Sequence, residues 1–179
     1  EVDVDLVDRG TLRLTADNAW ITVHNSGNSV DRHAEREFVA KGGGSSGVLY
    51  HFAVDETGVT QIMPLWKQGV HAGNRVGNQT SIAIEMCMDR APWARIKENT
   101  AHLLAMLVAR SPALDFSGAA DVRFSLDRVR EHRDWPGANQ GCPERLIATD
   151  GGVEKIVARA REINGVPPIN DDTFPDGMD

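Results

Sequence analysis

His24, His132 and Cys142 constrain this chain more than any other feature of it. Two imidazoles and a thiolate can close on one zinc ion and leave the fourth tetrahedral position open to water. Three protein ligands plus water is the composition of a catalytic zinc site, whereas a structural site is usually closed by four. His24 ends the strand-like run Trp20-Ile21-Thr22-Val23-His24-Asn25-Ser26. The other two lie in Glu131-His132-Arg133-Asp134-Trp135-Pro136-Gly137-Ala138-Asn139-Gln140-Gly141-Cys142-Pro143. An isolated histidine is usually a surface or satisfied core residue. A His-x9-Cys pair alone would not overturn that reading; the words around it do.

At 179 residues, 41% of them apolar and 25% charged, the chain has the size and composition of one soluble globular domain that needs no disulfides. No run approaches the roughly 18 apolar residues of a membrane span, and no signal-peptide pattern is seen after Glu1. The net charge of −7, with no Lys/Arg cluster, argues against nucleic acid as a partner. Of the two cysteines, Cys142 suits a metal thiolate and Cys87 a buried strand thiol.

Hydrophobic periodicity predicts a mixed layout. Residues 1–18 read as an N-terminal arm or edge strand, and 20–23 as a strand feeding His24. Residues 31–41 read as a short helix with Ala34, Phe38 and Val39 inward, capped by Ser29 or Asp31. Residues 42–47 read as a flexible glycine loop, which is no phosphate loop because no Lys-Ser/Thr follows. Residues 48–54 and 59–63 read as strands joined by a turn at Glu56-Thr57-Gly58, and 81–88 as a central strand. Ile96, Thr100, Leu103, Leu104, Leu107 and Val108 make one stripe of a helix over 95–110. A short strand over 129–131 presents His132. A last helix covers 152–163, with Val153, Ile156, Val157, Ala160 and Ile163 inward. Residues 1–164 form the domain, and the Pro- and Asp-rich 165–179 read as a linker or tail.

Five words occur in order: Val23-His24-Asn25-Ser26, Leu49-Tyr50-His51-Phe52, Val70-His71-Ala72-Gly73, Asn78…Ser81-Ile82-Ala83-Ile84-Glu85 and His132-Arg133-Asp134-Trp135…Cys142-Pro143. Together they resemble the zinc-dependent N-acetylmuramoyl-L-alanine amidases of the type 2 amidase family, which includes phage endolysins, autolysins and, more distantly, peptidoglycan-recognition proteins. The resemblance runs from about Ala19 to Ile163. It implies a mixed central sheet flanked by helices, one Zn2+ ion in a cleft at one end, and His24, His132 and Cys142 as ligands. It also implies bacterial peptidoglycan as the partner and action at the cell wall, by an endolysin or a secreted autolysin fragment. Gram-positive walls are themselves anionic, so charge would not steer this domain to them; a separate wall-binding module in the parent protein is expected.

Amide hydrolysis needs an activated water, a polarised carbonyl and a proton for the leaving nitrogen. Zinc supplies the first two. An outer partner should orient each ligating imidazole, and Asp134 is a candidate for His132. Glu85 sits in the otherwise apolar run 82–87, where a carboxylate is costly unless paired or useful. Alternation puts it beside Ala83 and Cys87, and burial would raise its pKa toward that of a general base. The resemblance matches Glu85 to the family's catalytic glutamate. It matches Tyr50, the one tyrosine, to a residue near the zinc whose hydroxyl could donate to an oxyanion. His71 is expected to line the substrate groove, and Asn78 and Ser81 to bond the stem peptide or shape the turn. His51 is expected to be structural, and His33 and His102 to be solvated.

One departure stands out. The family often carries a lysine two residues before the ligating cysteine, and here that place is Gln140. A neutral amide stabilises an oxyanion less than an ammonium, unless Arg133 or another cation fills the role. Two other readings stay open: a peptidoglycan-recognition domain without catalysis, and an enzyme with Cys142 as nucleophile.

Overall fold

The computed structural model describes residues 1–165 apart from 11, 16, 17, 28, 29 and 89. Among the described residues, six strands form one sheet: β1 (Val2–Val4), β2 (Trp20–Asn25), β3 (Phe52–Val54), β4 (Val59–Gln61), β5 (Ser81–Met86) and β6 (Val129–Glu131). Their spatial order is β1-β4-β3-β5-β2-β6. Only the β3–β4 hairpin is antiparallel; every other pair is parallel. Helices α1 (Arg32–Ala40), α2 (Arg75–Thr80), α3 (Trp93–Ala109), α4 (Glu144–Asp150) and α5 (Glu154–Ile163) surround it. Among the described residues no helix is long and apolar enough to cross a membrane.

Alternation along β2 and β5 divides the sheet's two faces. Ile21, Val23, Ile82, Ile84 and Met86 point to one face, where Ile96, Leu103, Leu104 and Leu107 of α3 and Ile156, Val157 and Ala160 of α5 complete the main core. The other face is more polar. There Ala83 joins Tyr50, Ala53, Met63 and Val39 of α1 in a second cluster, and Thr22, His24 and Ser81 are buried without being apolar.

The strands at 20–25, 81–86 and 129–131 and the helices at 93–109 and 154–163 fall where periodicity places them, and Asp31 caps α1 through its carboxylate. Ser29 and the 166–179 tail lie outside the described residues. Three expectations need correction. In α1 the inward residues are Arg32, Glu35 and Val39, while Ala34 and Phe38 face out. Buried partners outweigh the apolar stripe: the Arg32 guanidinium meets Asp3, Thr60 Oγ1 at 2.9 Å and the Val59 carbonyl at 3.1 Å, and Glu35 accepts the Tyr50 hydroxyl. A buried charge is tolerated when so paired.

The strand expected over 48–54 begins only at Phe52. Leu49 pairs instead with Val70, N–H to carbonyl in both directions at 3.0 and 2.8 Å. His51 Nδ1 accepts from Ala83 N–H at 3.1 Å where a strand carbonyl would, and the other ring nitrogen meets the Lys67 carbonyl at 2.9 Å. The structural role expected of His51 is thus what is found. The glycine loop is also more ordered than expected, winding into a 3-10 turn over Gly44–Ser46.

Helix α2 was not legible in the sequence, and Gly77 shows why it sits where it does. A Cβ there would meet Ala72 Cβ at 2.4 Å and Trp135 Cδ2 at 2.9 Å, so the helix backbone packs directly on the indole. Asn74 caps it by accepting from Gly77 N–H at 2.8 Å.

Candidate metal centre

Strand register builds the site. Cα partners across β2 and β5 include His24 and Glu85, and across β2 and β6 Val23 and Glu131. His24 therefore stands beside Glu85 on one side and next to His132, the residue after β6, on the other. All three lie at the carboxyl ends of parallel strands, where ligands of open sheets bind.

Cys142 reaches them through a closed loop. Arg133 N–H donates to the Cys142 carbonyl at 3.0 Å and Cys142 N–H to the Asn139 carbonyl at 3.3 Å, folding the cysteine back over His132. One ligand atom from each of His24, His132 and Cys142 lies within 4.8 Å of the others. Cys142 Sγ is 3.8 Å from His24 Nδ1, and the two imidazole centroids are 4.5 Å apart. Zinc bonds of about 2.0–2.1 Å to nitrogen and 2.3 Å to sulfur place tetrahedral ligand atoms about 3.3–3.7 Å apart, so small shifts close this set on one ion. His132 Nε2 is buried and has no hydrogen-bond partner among the described residues. An unpartnered, buried imidazole nitrogen beside a thiol is what a metal would satisfy.

Burial holds the histidines neutral, as ligands must be. It depresses His24 well below the usual range, with His71 and His132 adding to the effect, and it lowers His132 as well. Desolvation takes His71 down to about 3. Burial also pushes the Cys142 thiol up to about 12, with Glu85 and Glu131 adding to it. Protein groups alone thus keep a thiol beside a neutral imidazole, the reverse of the thiolate–imidazolium pair of a cysteine nucleophile. A bound dication would invert that balance.

The Glu85 carboxyl is held well above the usual range, first by burial and then by Glu35. Glu35 carried no sequence signal, because a charged helix residue reads as solvent-facing. It is 3% exposed, raised in pKa by burial, and accepts the Tyr50 hydroxyl on one oxygen while the other is unpartnered. Burial, with Glu35 and Glu85 nearby, makes the Tyr50 proton still harder to remove.

The remaining candidates are placed as follows. His71 Nδ1 lies 3.1 Å from His24 Nε2. Asn78 Oδ1 accepts from the N–H groups of His71 and Ala72 at 2.9 and 2.8 Å. Ser81 is fully buried, its hydroxyl donating to the Gly77 carbonyl at 2.7 Å. Gln140 is exposed, and its amide donates to the carbonyls of Arg133 and Ala138 at 3.1 and 3.3 Å. Arg133 pairs with Glu131. Asp134 does not serve His132: its carboxylate accepts from Glu131 N–H at 2.8 Å, capping the turn that carries the histidine. His33 and His102 are exposed and Cys87 is buried, as expected. A cleft of 580 Å3, lined by Val48, Val70, His71, Asn74, Arg75 and His132 among others, opens onto the site.

The chain and its fold resemble those of known proteins. Residues 15–145 match the family described as N-acetylmuramoyl-L-alanine amidase. The chain is 30% identical to the N-acetylmuramoyl-L-alanine amidase XlyB of Bacillus subtilis (strain 168) over 92% of its own length and 50% of that protein's. It is 34% identical to CwlA of the same organism over 80% of its length and 50% of that protein's. It thus spans about half the length of these curated relatives. The solved catalytic domain of XlyA superposes with a TM-score of 0.67 at 27% identity, covering 89% of this chain and 99% of that one. By profile, sequence and architecture, this chain belongs to the type 2 N-acetylmuramoyl-L-alanine amidase family.

Proposed function

We propose that this chain is the catalytic domain of a peptidoglycan hydrolase acting at the bacterial cell wall. It cleaves the amide between N-acetylmuramic acid and L-alanine of the stem peptide. The observation that carries the reading is the convergence of His24, His132 and Cys142 next to a half-buried glutamate, Glu85, at the mouth of a cleft. Family membership supports the bond chosen.

A zinc ion held by His24 Nδ1, His132 Nε2 and Cys142 Sγ would polarise the amide carbonyl and lower the pKa of a water from about 15.7 to near 7. Glu85 does the proton work. Beside the ligands it is placed to take a proton from the attacking water and return it to the leaving nitrogen, and its pKa is raised in the direction that such a shuttle needs. The 580 Å3 cleft takes the substrate, with Asn78 and Arg75 on its wall. The oxyanion roles expected of Tyr50 and Gln140 would require each to leave its present acceptors, Glu35 for the tyrosine and two loop carbonyls for the glutamine.

The recognition-domain reading lacks a comparable support, since such a domain has no use for a general base beside the ligands. A separate wall-binding module in the parent protein is part of this reading, supported by the net charge of −7, which draws the domain to no anionic wall; the complete reading frame decides that point.

The test is digestion of purified Gram-positive peptidoglycan, read by mass spectrometry, with and without a zinc chelator. New L-alanine N-termini beside intact glycan, abolished by chelator and restored by zinc, are expected. Zinc-loaded protein that binds the wall and releases nothing would overturn the enzymatic reading.

A further inference from the structure

We propose that His71 is a positioning residue that presets His24 to bind metal through Nδ1, at the end of a hydrogen-bond relay that begins at Trp135. The proposal rests on the reading of His24, His132 and Cys142 as metal ligands.

The direction of each link follows from which atoms own a proton. An indole N–H can only donate, and Trp135 Nε1 donates to Thr22 Oγ1 at 2.9 Å. Thr22 Oγ1 donates onward to Ser81 Oγ at 2.9 Å. Ser81 Oγ directs its single proton to the Gly77 carbonyl at 2.7 Å. No serine proton is left for His71. Its Nε2 faces the Ser81 carbonyl at 3.3 Å and the same hydroxyl oxygen at 3.4 Å, both acting as acceptors, so Nε2 carries the hydrogen. In a neutral imidazole the other nitrogen is then a bare acceptor. That atom, His71 Nδ1, lies 3.1 Å from His24 Nε2, which carries hydrogen in turn. What remains bare is His24 Nδ1, the atom facing Cys142 Sγ at 3.8 Å.

The relay sets both the tautomer and the ring orientation of His24 before any metal arrives. It also gives His71 a role other than contact with substrate: the residue is 8% exposed and both of its ring nitrogens are engaged. Its anchors are themselves held by packing and hydrogen bonds. Trp135 packs on the α2 backbone at Gly77, and Asn78 ties down the His71 and Ala72 amides.

Long-range proton–nitrogen NMR of the metal-free wild-type protein tests the relay. His24 and His71 are both expected as Nε2–H tautomers, and zinc should then bind His24 through Nδ1. His71→Ala should weaken zinc binding by about 10–100-fold, the usual effect of losing an outer partner of a ligating histidine. His71→Asn keeps an acceptor oxygen near the place of Nδ1 and should stay within about threefold of wild type. Hydrogen on His71 Nδ1, or His71→Ala binding zinc as tightly as wild type, would overturn the proposal. The tautomer readout uses the wild-type protein, so it stands whether or not the alanine variant folds. Wild-type protein that binds zinc without cutting peptidoglycan would overturn the function proposed above and leave the relay intact.

Discussion

Cys142→Ala is expected to lose zinc and turnover together. Zinc affinity should fall by more than about 100-fold, beyond what losing an outer partner costs, and turnover should fall in parallel. The fold should persist. Cys142 is half-buried in a loop that its backbone closes, through Arg133 N–H to its carbonyl, rather than its side chain. Metal analysis and peptidoglycan release on the same preparation check both halves. The pairing of readouts separates two chemistries: a variant that keeps stoichiometric zinc and loses turnover would make the sulfur a nucleophile and remove it from the metal.

Glu85→Gln is expected to keep zinc and lose turnover by about 10²–10⁴-fold, the usual contribution of a general base. It should also abolish the acid limb of kcat/KM, because that limb reports protonation of the base. The same substitution should stabilise the metal-free fold at neutral pH. The folded pKa of Glu85 lies well above its ordinary value of 4.5. As pH rises from 4.5, the unfolded chain releases this proton before the folded one does, so stability falls until pH passes the folded pKa. Glutamine has no proton to lose and escapes that cost. Thermal unfolding without metal, compared at pH 4 and pH 7, should show a higher Tm for the variant only at the higher pH, with about 2–4 °C for each kcal/mol recovered. Unchanged turnover at neutral pH would exclude Glu85 as the base. Activity gained at the expense of stability is what a desolvated ionisable group at a working site entails.

The convergence of His24, His132 and Cys142 was legible because residue types that can bind metal stand in marked settings: a histidine at a strand end, and a histidine and a cysteine in one loop. Glu85 was legible for a related reason, as a carboxylate breaking an apolar strand. What could not be read was the polar underside of the site. Arg32 and Glu35 point inward on α1, yet on a helix their charges resemble a solvated face until the positions of Asp3, Asp55 and Tyr50 are known. Helices α2 and α4 bury little beyond Gly77 and Leu146, too little for any periodicity to show. The partner of His24 was equally hidden, since His71 reaches it across the sheet from another loop. Asp134, two residues after His132 in sequence, turned out to cap its turn instead. Pairings that depend on tertiary packing leave no local trace.

Zinc-edge X-ray absorption spectroscopy of the zinc-loaded protein tests the metal centre most directly. His24, His132, Cys142 and one water should give a single sulfur at about 2.3 Å and three lighter atoms at about 2.0–2.1 Å. A shell with no sulfur, or with more than one, would contradict the centre and the chemistry built on it.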